Sequence, residues 1–585
     1  MLRPSTRSAS ALLLALLLVA CGGGGGGAQQ ESPPAVVERP ATRNEAARFL
    51  TQASFGPTDI DIDRVMALGY AAWIDEQLAT APLASHRSHW EAADAAIKAA
   101  NPANSAGQNE VFETFWKHAL SGPDQLRQRM AYALGQIMVI SMVDGTVGND
   151  PRSVAAWLDM LGTKGLSSYR ELLESVSRHP MMGVYLSHLR NQKASASTGR
   201  VPDENYSREV IQLFSIGLVE LNEDGSARTA AGGAPIETYT PADISGLARV
   251  FTGFSFACPD FPANNCFNSG SNNGLSDPDR GFKSMLGYAQ YHSTEEKRFL
   301  GTTIAVQTTA DPDASLRVAL DAIAGHANVG PFIGRQLIQR LVTSNPSPAY
   351  VSAVARTFAN NGSGVRGDLK AVLKAVLMHP EARVMSDTSG KVREPVLRLS
   401  AFMRAFAHRS DSGSFKVGNT DNAGTSLGQT PMRSPSVFNF YRPGFVPPGT
   451  QTAARNLVAP EMQLASETSA AGYVNTMRDN LSSGVGQVNG TLNGVVLNRR
   501  DLQGDYSAEL ALATDASALV ERVATRLAYG SVGTALATEI VGAVNALTIP
   551  AATGSNQTQI DTAKRNRVNA AILLVLASPE FMVQK

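Results

Sequence analysis

The densest set of reactive side chains lies in Pro202–Glu209. Asp203, Glu204, Asn205, Tyr206, Ser207, Arg208 and Glu209 follow one another there, directly before an apolar run that begins at Val210. On a helix, a spacing of four sets Glu204 beside Arg208 and Asn205 beside Glu209. Acidic groups in a first turn are stabilised by the helix dipole, and a Glu-to-Arg pair adds roughly 0.2–0.5 kcal/mol. That accounts for Asp203, Glu204 and Arg208. It accounts less well for so many polar groups in two turns, for which a buried polar network or a ligand site is the sharper reading.

Carboxylates at 204 and 209 suit general acid/base work. Together with Asp243 and His292 they offer the oxygen and nitrogen ligands of a hydrolytic metal site. These residues come from three separate segments, and the chain carries no His-Glu-x-x-His and no Cys-x-x-Cys. No metal or other cofactor is therefore assigned, and His292 reads first as a structural histidine. No Gly-x-x-x-x-Gly-Lys-Ser/Thr phosphate loop is present in the sequence, and no serine is assigned as a nucleophile. His179 and His379 each precede a proline and read as capping or solvated groups.

The elements that must position these groups are mainly helical. Apolar residues recur at helical spacing over Ala46–Gln52, Ile62–Leu68, Tyr70–Leu78, Gln125–Ser141, Pro331–Leu341, Leu369–Leu377 and Leu519–Leu527. The signature segment itself predicts a helix that ends at Gly217. Three helices run into proline corners at His179-Pro180, His379-Pro380 and Ser578-Pro579. Strand signals are confined to Leu218–Leu221 with the turn Asn222–Gly225, so at most a small β-hairpin is expected. Long irregular loops are expected near 255–290 and 410–455. The expected fold is a large multi-helix main body over 44–480, with a C-terminal helical segment over 481–585 packed upon it.

The N-terminus carries an address. Arg3 and Arg7 precede an apolar run from Ala9 to Ala20, too short to span a membrane. It ends in Leu18-Val19-Ala20-Cys21, which resembles the bacterial lipobox, so residues 1–20 read as a signal peptide and Cys21 as the lipidated residue. Six glycines follow, and 21–43 reads as a flexible tether spanning about 25 Å. Gly22 stands where an Asp would resemble an inner-membrane retention signal, which points to the outer membrane. With 51 basic and 51 acidic residues the chain offers no charge excess for a nucleic-acid partner. Cys258 and Cys266 flank a loop-forming sequence in an exported chain and are expected to form a disulfide.

The segment Asp203-Glu204-Asn205-Tyr206-Ser207-Arg208-Glu209 resembles the Asn-Glu-Asn-Tyr-x-Arg-Glu signature of the bacterial family designated domain of unknown function 1800. Arg48–Gly56, Tyr239–Asp243, Ala248–Gly253, Tyr291-His292, Ser434–Pro443 and Leu576–Phe581 fit the same pattern, which adds Arg249 to the polar set. Asp203 stands where the family has Asn, and Ser293 where an Asp follows the histidine; the second departure weakens a His-Asp metal site. The resemblance implies an exported, largely helical protein with no established reaction. It also implies, by gene association, a secreted partner of the domain of unknown function 1501 family.

Two functional expectations follow. One is a lipid-anchored envelope protein whose body binds an exported protein or an envelope polymer through Glu204, Asn205, Tyr206, Arg208 and Glu209. The other is an exported, metal-dependent hydrolase of a polysaccharide or ester, with Glu204 or Glu209 as acid/base and His292 nearby. The Tyr441–Gly444 stretch is expected to pack against the body, or else to line a sugar groove.

Overall fold

A computed structural model describes residues 38–492 and 495–585. The signal peptide, Cys21 and the tether up to residue 37 lie outside the described residues. The body begins with helices Arg43–Ala53, Asp59–Leu68 and Tyr70–Ala79. Thr42 and Thr58 cap the first two by accepting from Glu45 and Asp61 amides. His86–Ala100, Gln108–Ser121, Gln125–Gly135 and Pro151–Lys164 follow; the second and fourth pack on each of the others, and the first and third meet through His86 and Gln128. Their apolar faces, with Trp73, Trp116 and Trp157 fully buried, join one hydrophobic cluster that continues to Phe581. The fold is mainly α, as the periodicity predicts.

The Gln125 helix stops at Gly135 rather than Ser141. Tertiary bonds claim the next residue: Arg340 Nη2 donates to the Gln136 carbonyl at 2.9 Å, and Gln136 Nε2 donates to Glu394 Oε2 at 2.7 Å. The signature helix is also shorter than expected, running over Asn205–Gln212. Wider turns then carry the chain to Gly217, whose amide reaches Ile211 O at 3.0 Å with φ +74°. A side chain at Gly217 would collide with the Phe332 ring.

β-structure exceeds a single hairpin. The expected turn is present, with Asn222 N donating to Ser226 O at 2.8 Å. Among the described residues six small antiparallel sheets also occur, the largest ordering Arg409–Ser410, Arg500–Gln503 and Val485–Val488 side by side. Three of them, this one included, border or lie within the stretches expected to be irregular loops. The 255–290 insertion holds strands, a short helix and a small core of its own: Cys258 and Cys266 are disulfide-bonded with Cα atoms 5.5 Å apart, against Phe267 and Tyr288. Asp501, fully buried, accepts from Ser410 Oγ, Ser412 N, Lys416 N and Asn489 Nδ2 and pins the second loop.

The three proline corners share one device. His179 Nδ1 accepts from Met181 N, His379 Nδ1 from Glu381 N, and Ser578 Oγ from Phe581 N, each with proline first in the following helical turn. Leu173, Val176, His179 and Pro180 recur as Leu373, Val376, His379 and Pro380, each 200 positions later. Their helices, Tyr169–Ser177 and Leu369–Met378, start side by side: Tyr169 N donates to Gly367 O at 2.7 Å and Leu369 N to Ser167 O at 3.1 Å.

The Ser434–Pro443 motif enters a buried polar centre. Tyr441 is buried, its hydroxyl 3.3 Å from Gln136 Oε1, with Arg340 over its ring. Tyr441 packs into the body, and with Pro443 it borders only a small pocket against Arg340 and Glu461. Beside it Lys391 Nζ lies 3.0 Å from Glu461 Oε1, both side chains essentially inaccessible to solvent.

Candidate functional site

The signature helix splits its residues between core and surface. Tyr206 is fully buried, stacked on His188 with ring centroids 3.9 Å apart and edge-on to Phe251. Its hydroxyl lies 2.6 Å from Ser177 Oγ, and the His188 Nε2 proton is donated to Ser177 O at 2.8 Å. Burial pushes the Tyr206 phenol up and the His188 imidazole down to about 4, so both stay neutral. Asp203 is framed by Asn191, which accepts from its amide at 2.8 Å and donates to its carbonyl at 3.1 Å. Its carboxylate accepts from Asn205 N and Ser187 Oγ. Asn205 Nδ2 also reaches Ser187 Oγ at 3.3 Å. Glu204 accepts from Ser245 Oγ at 2.5 Å and pairs with Arg208 at 3.5 Å, both partly exposed. Glu209 is buried with one carboxylate oxygen unpartnered, and burial raises its pKa.

The remaining expected site residues serve separate structural ends. Asp243 closes a capping box with Thr240 and accepts from Leu300 N at 2.7 Å. Burial works against its ionisation, yet those hydrogen bonds win and lower its pKa. Arg249 pairs with Glu295 at 2.9 Å. His292 is buried with both ring nitrogens engaged, Nδ1 at 2.8 Å from Thr252 O and Nε2 at 2.9 Å from Ser315 Oγ. The structure thus joins Glu204 to Arg208 and to the Asp203–Asn205 turn, and it gives Asp243 and His292 different partners. Among the described residues, no three His, Cys, Asp or Glu side chains converge where they could hold a metal ion.

A cavity of about 510 Å³ opens beside Ser175 and His179. That volume falls within the roughly 300–1,000 Å³ of small-molecule sites. Ser175 and His179 face it from the corner, Ser85, His86 and Arg87 from a helix start, Arg127 and Gln128 from another helix, and Asp159, Gly162, Thr163 and Lys164 from the Pro151–Lys164 helix. Phe282 and Ser284 close it from the long insertion.

Each wall has a local cause. Asp159 accepts from the His86 and Arg87 amides at 2.7 and 3.0 Å, occupying the first free N–H groups of the His86–Ala100 helix. Arg127 is held by the Gly162 and Thr80 carbonyls at 3.1 and 3.0 Å. Phe282 is gripped by Arg87 and Arg152, each 4.8 Å from its ring centre, and Arg152 also binds Asp279 at 2.7 Å. Met285 N donates to Arg178 O at 2.8 Å and completes the strap. At Gly281 a Cβ would run into Ser153 Oγ and Asp150 Oδ2, so only glycine lets the strap lie this close. His86 bonds Thr114 and Gln128 through its two ring nitrogens; burial pushes it down to about 4 and His179 to about 3, so both are uncharged at neutral pH. Hydroxyls, an amide, three cations, the Asp159 carboxylate and an aromatic wall, set among the apolar Pro82, Ala156, Leu158 and Met160, suit a ligand with both hydroxyls and apolar faces.

Sequence reasoning missed this cavity. Its residues come from distant segments with no common motif, and only the insertion bearing Phe282 and the His179 corner carried a local signal. Among the described residues no helix is long and apolar enough to cross a membrane. No curated protein and no solved structure matches the chain. The family model described as "Protein of unknown function (DUF1800)" matches residues 48–583, and the chain belongs to that family.

Proposed function

We propose that the protein is exported, lipidated on Cys21 and tethered to the outer membrane, and that its helical body binds an envelope polymer in the cavity between Arg127, Lys164 and Phe282. The observation that carries this reading is the cavity itself, a concave site of ligand size lined by hydroxyls, cations and one aromatic wall. A concave, strapped site favours a chain or small ligand over a flat protein partner. The Arg3–Cys21 address and the glycine-rich tether support delivery to the envelope.

The test uses the full chain in detergent with isolated peptidoglycan and lipopolysaccharide. Gly162→Leu serves as the blocked form, because a Cβ there meets only Arg127 side-chain carbons at 4.0 Å. Polymer retained by the wild type and lost by Gly162→Leu supports the reading; equal retention by both refutes it. In the source cell, Cys21→Ser should abolish palmitate incorporation.

An exported hydrolase is the second reading, favoured by the unpartnered carboxyl of Glu209 and its raised pKa. Loss of polymer cleavage in Glu209→Gln, with binding intact, would establish it.

A further inference from the structure

The charge inside the cavity narrows the ligand. Its lining holds three cations, Arg87, Arg127 and Lys164, against one carboxylate, Asp159. That carboxylate is already held by two backbone amides. Arg87 is matched by Glu91 at 2.7 Å. Arg127 pairs with the fully buried Asp124 at 3.6 Å, a distance too long for a hydrogen bond, so its Nε has no hydrogen-bond partner while its Nη atoms serve two carbonyls. Lys164 sits 3.8 Å from its nearest carboxylate, the largely exposed Glu171, a pair that solvent and salt screen. His179, which also lines the cavity, accepts from Met181 N through Nδ1, so its ring is neutral with the proton on Nε2.

Resting on the reading that the cavity is the binding site, we propose that it takes an anionic saccharide, with Arg127 and Lys164 receiving a carboxylate or phosphate carried on the sugar. Arg127 is pre-positioned by its two carbonyl bonds, so little side-chain freedom is lost on binding. Lys164 supplies a mobile charge at the rim. Carboxylate from a uronic-acid polymer and phosphate from a lipopolysaccharide headgroup present the same chemistry here.

The full chain is titrated with hexagalacturonate, with maltohexaose as the neutral counterpart and lipopolysaccharide micelles as the phosphate source. Lys164→Glu is the chosen variant because the side chain is 39% exposed and its loss leaves the core intact. The expected result is binding of an anionic probe that weakens about ten-fold or more in Lys164→Glu and falls with added salt, with maltohexaose bound far more weakly. Micelle binding alone would assign the phosphate source, and hexagalacturonate binding alone the carboxylate source. Equal affinity for maltohexaose, or an unchanged affinity in Lys164→Glu, overturns the inference; if Gly162→Leu still blocks binding, the cavity reading stands without it. Absence of binding to every probe and polymer overturns both.

Discussion

Tyr206 Oη lies 2.6 Å from Ser177 Oγ, and through that bond the family's signature helix braces the corner from which His179 faces the cavity. Ser177 Oγ gives its own proton to Leu173 O at 2.8 Å, so it must accept from Tyr206. Tyr206→Phe keeps the ring stacked on His188 and strips a buried acceptor of its donor. The expected loss is about 0.5–1.5 kcal/mol in urea unfolding of the full chain. An unchanged midpoint would show that the bond contributes nothing.

Acid should destabilise the body. Burial pushes His86, His188, His292 and His408 down to about 4, and His118 and His179 to about 3. Their unfolded value is 6.5, so the unfolded chain binds more protons across the window from 6.5 down to about 3–4, and stability falls as pH drops through it. Each such histidine removes about 1.4 kcal/mol per pH unit within its window. Glu113, pushed up to about 7 by burial, and Glu209, raised likewise, act in the opposite sense, because the folded chain keeps protons that the unfolded one releases. Burial also lowers His89, His326 and His379 and raises Asp124, Asp159 and Glu461, so nine histidines stand against five carboxyls. Melting temperature measured from neutral pH down to about pH 5 should fall, and a rise would contradict the assignment.

Gly281→Leu should lift the strap, since its side chain has no room beside Ser153 and Asp150. Limited proteolysis is expected to cut within residues 277–287 in the variant and to spare the wild type, with polymer retention reduced in parallel. Equal resistance of the two proteins would mean that the strap tolerates displacement.

Much of the scaffold was legible beforehand because it rests on local rules. The helices over Tyr70–Ala79 and Leu369–Met378 follow from apolar spacing, and the proline corners from backbone sterics. The signature's surface half was legible too, as the Glu204–Arg208 pair. Its core half was not: nothing local marks Ser177 and His188 as the partners of Tyr206. The same holds for the cavity. Arg127 owes its position to the Thr80 carbonyl, and Phe282 to Arg87 and Arg152, contacts that join segments with unrelated patterns. The Gln125 helix misled for a like reason, because Arg340 and Glu394 claim Gln136 where periodicity would have continued the helix.

The Lys391–Glu461 pair tests the polar centre. Both side chains are buried, so Lys391→Met leaves a carboxylate without its cation and should cost about 3–5 kcal/mol. Replacing both, as Lys391→Met with Glu461→Leu, should recover most of that loss. Urea unfolding of the two variants separates these outcomes; a double variant no better than the single one would show that the pair is required for another reason.

The most direct test of the binding site is an experimental structure of the full chain with a retained envelope oligosaccharide. Sugar density is expected between Arg127, Lys164 and Phe282, with the strap in place. Density seated elsewhere, with this cavity holding only solvent, would contradict it.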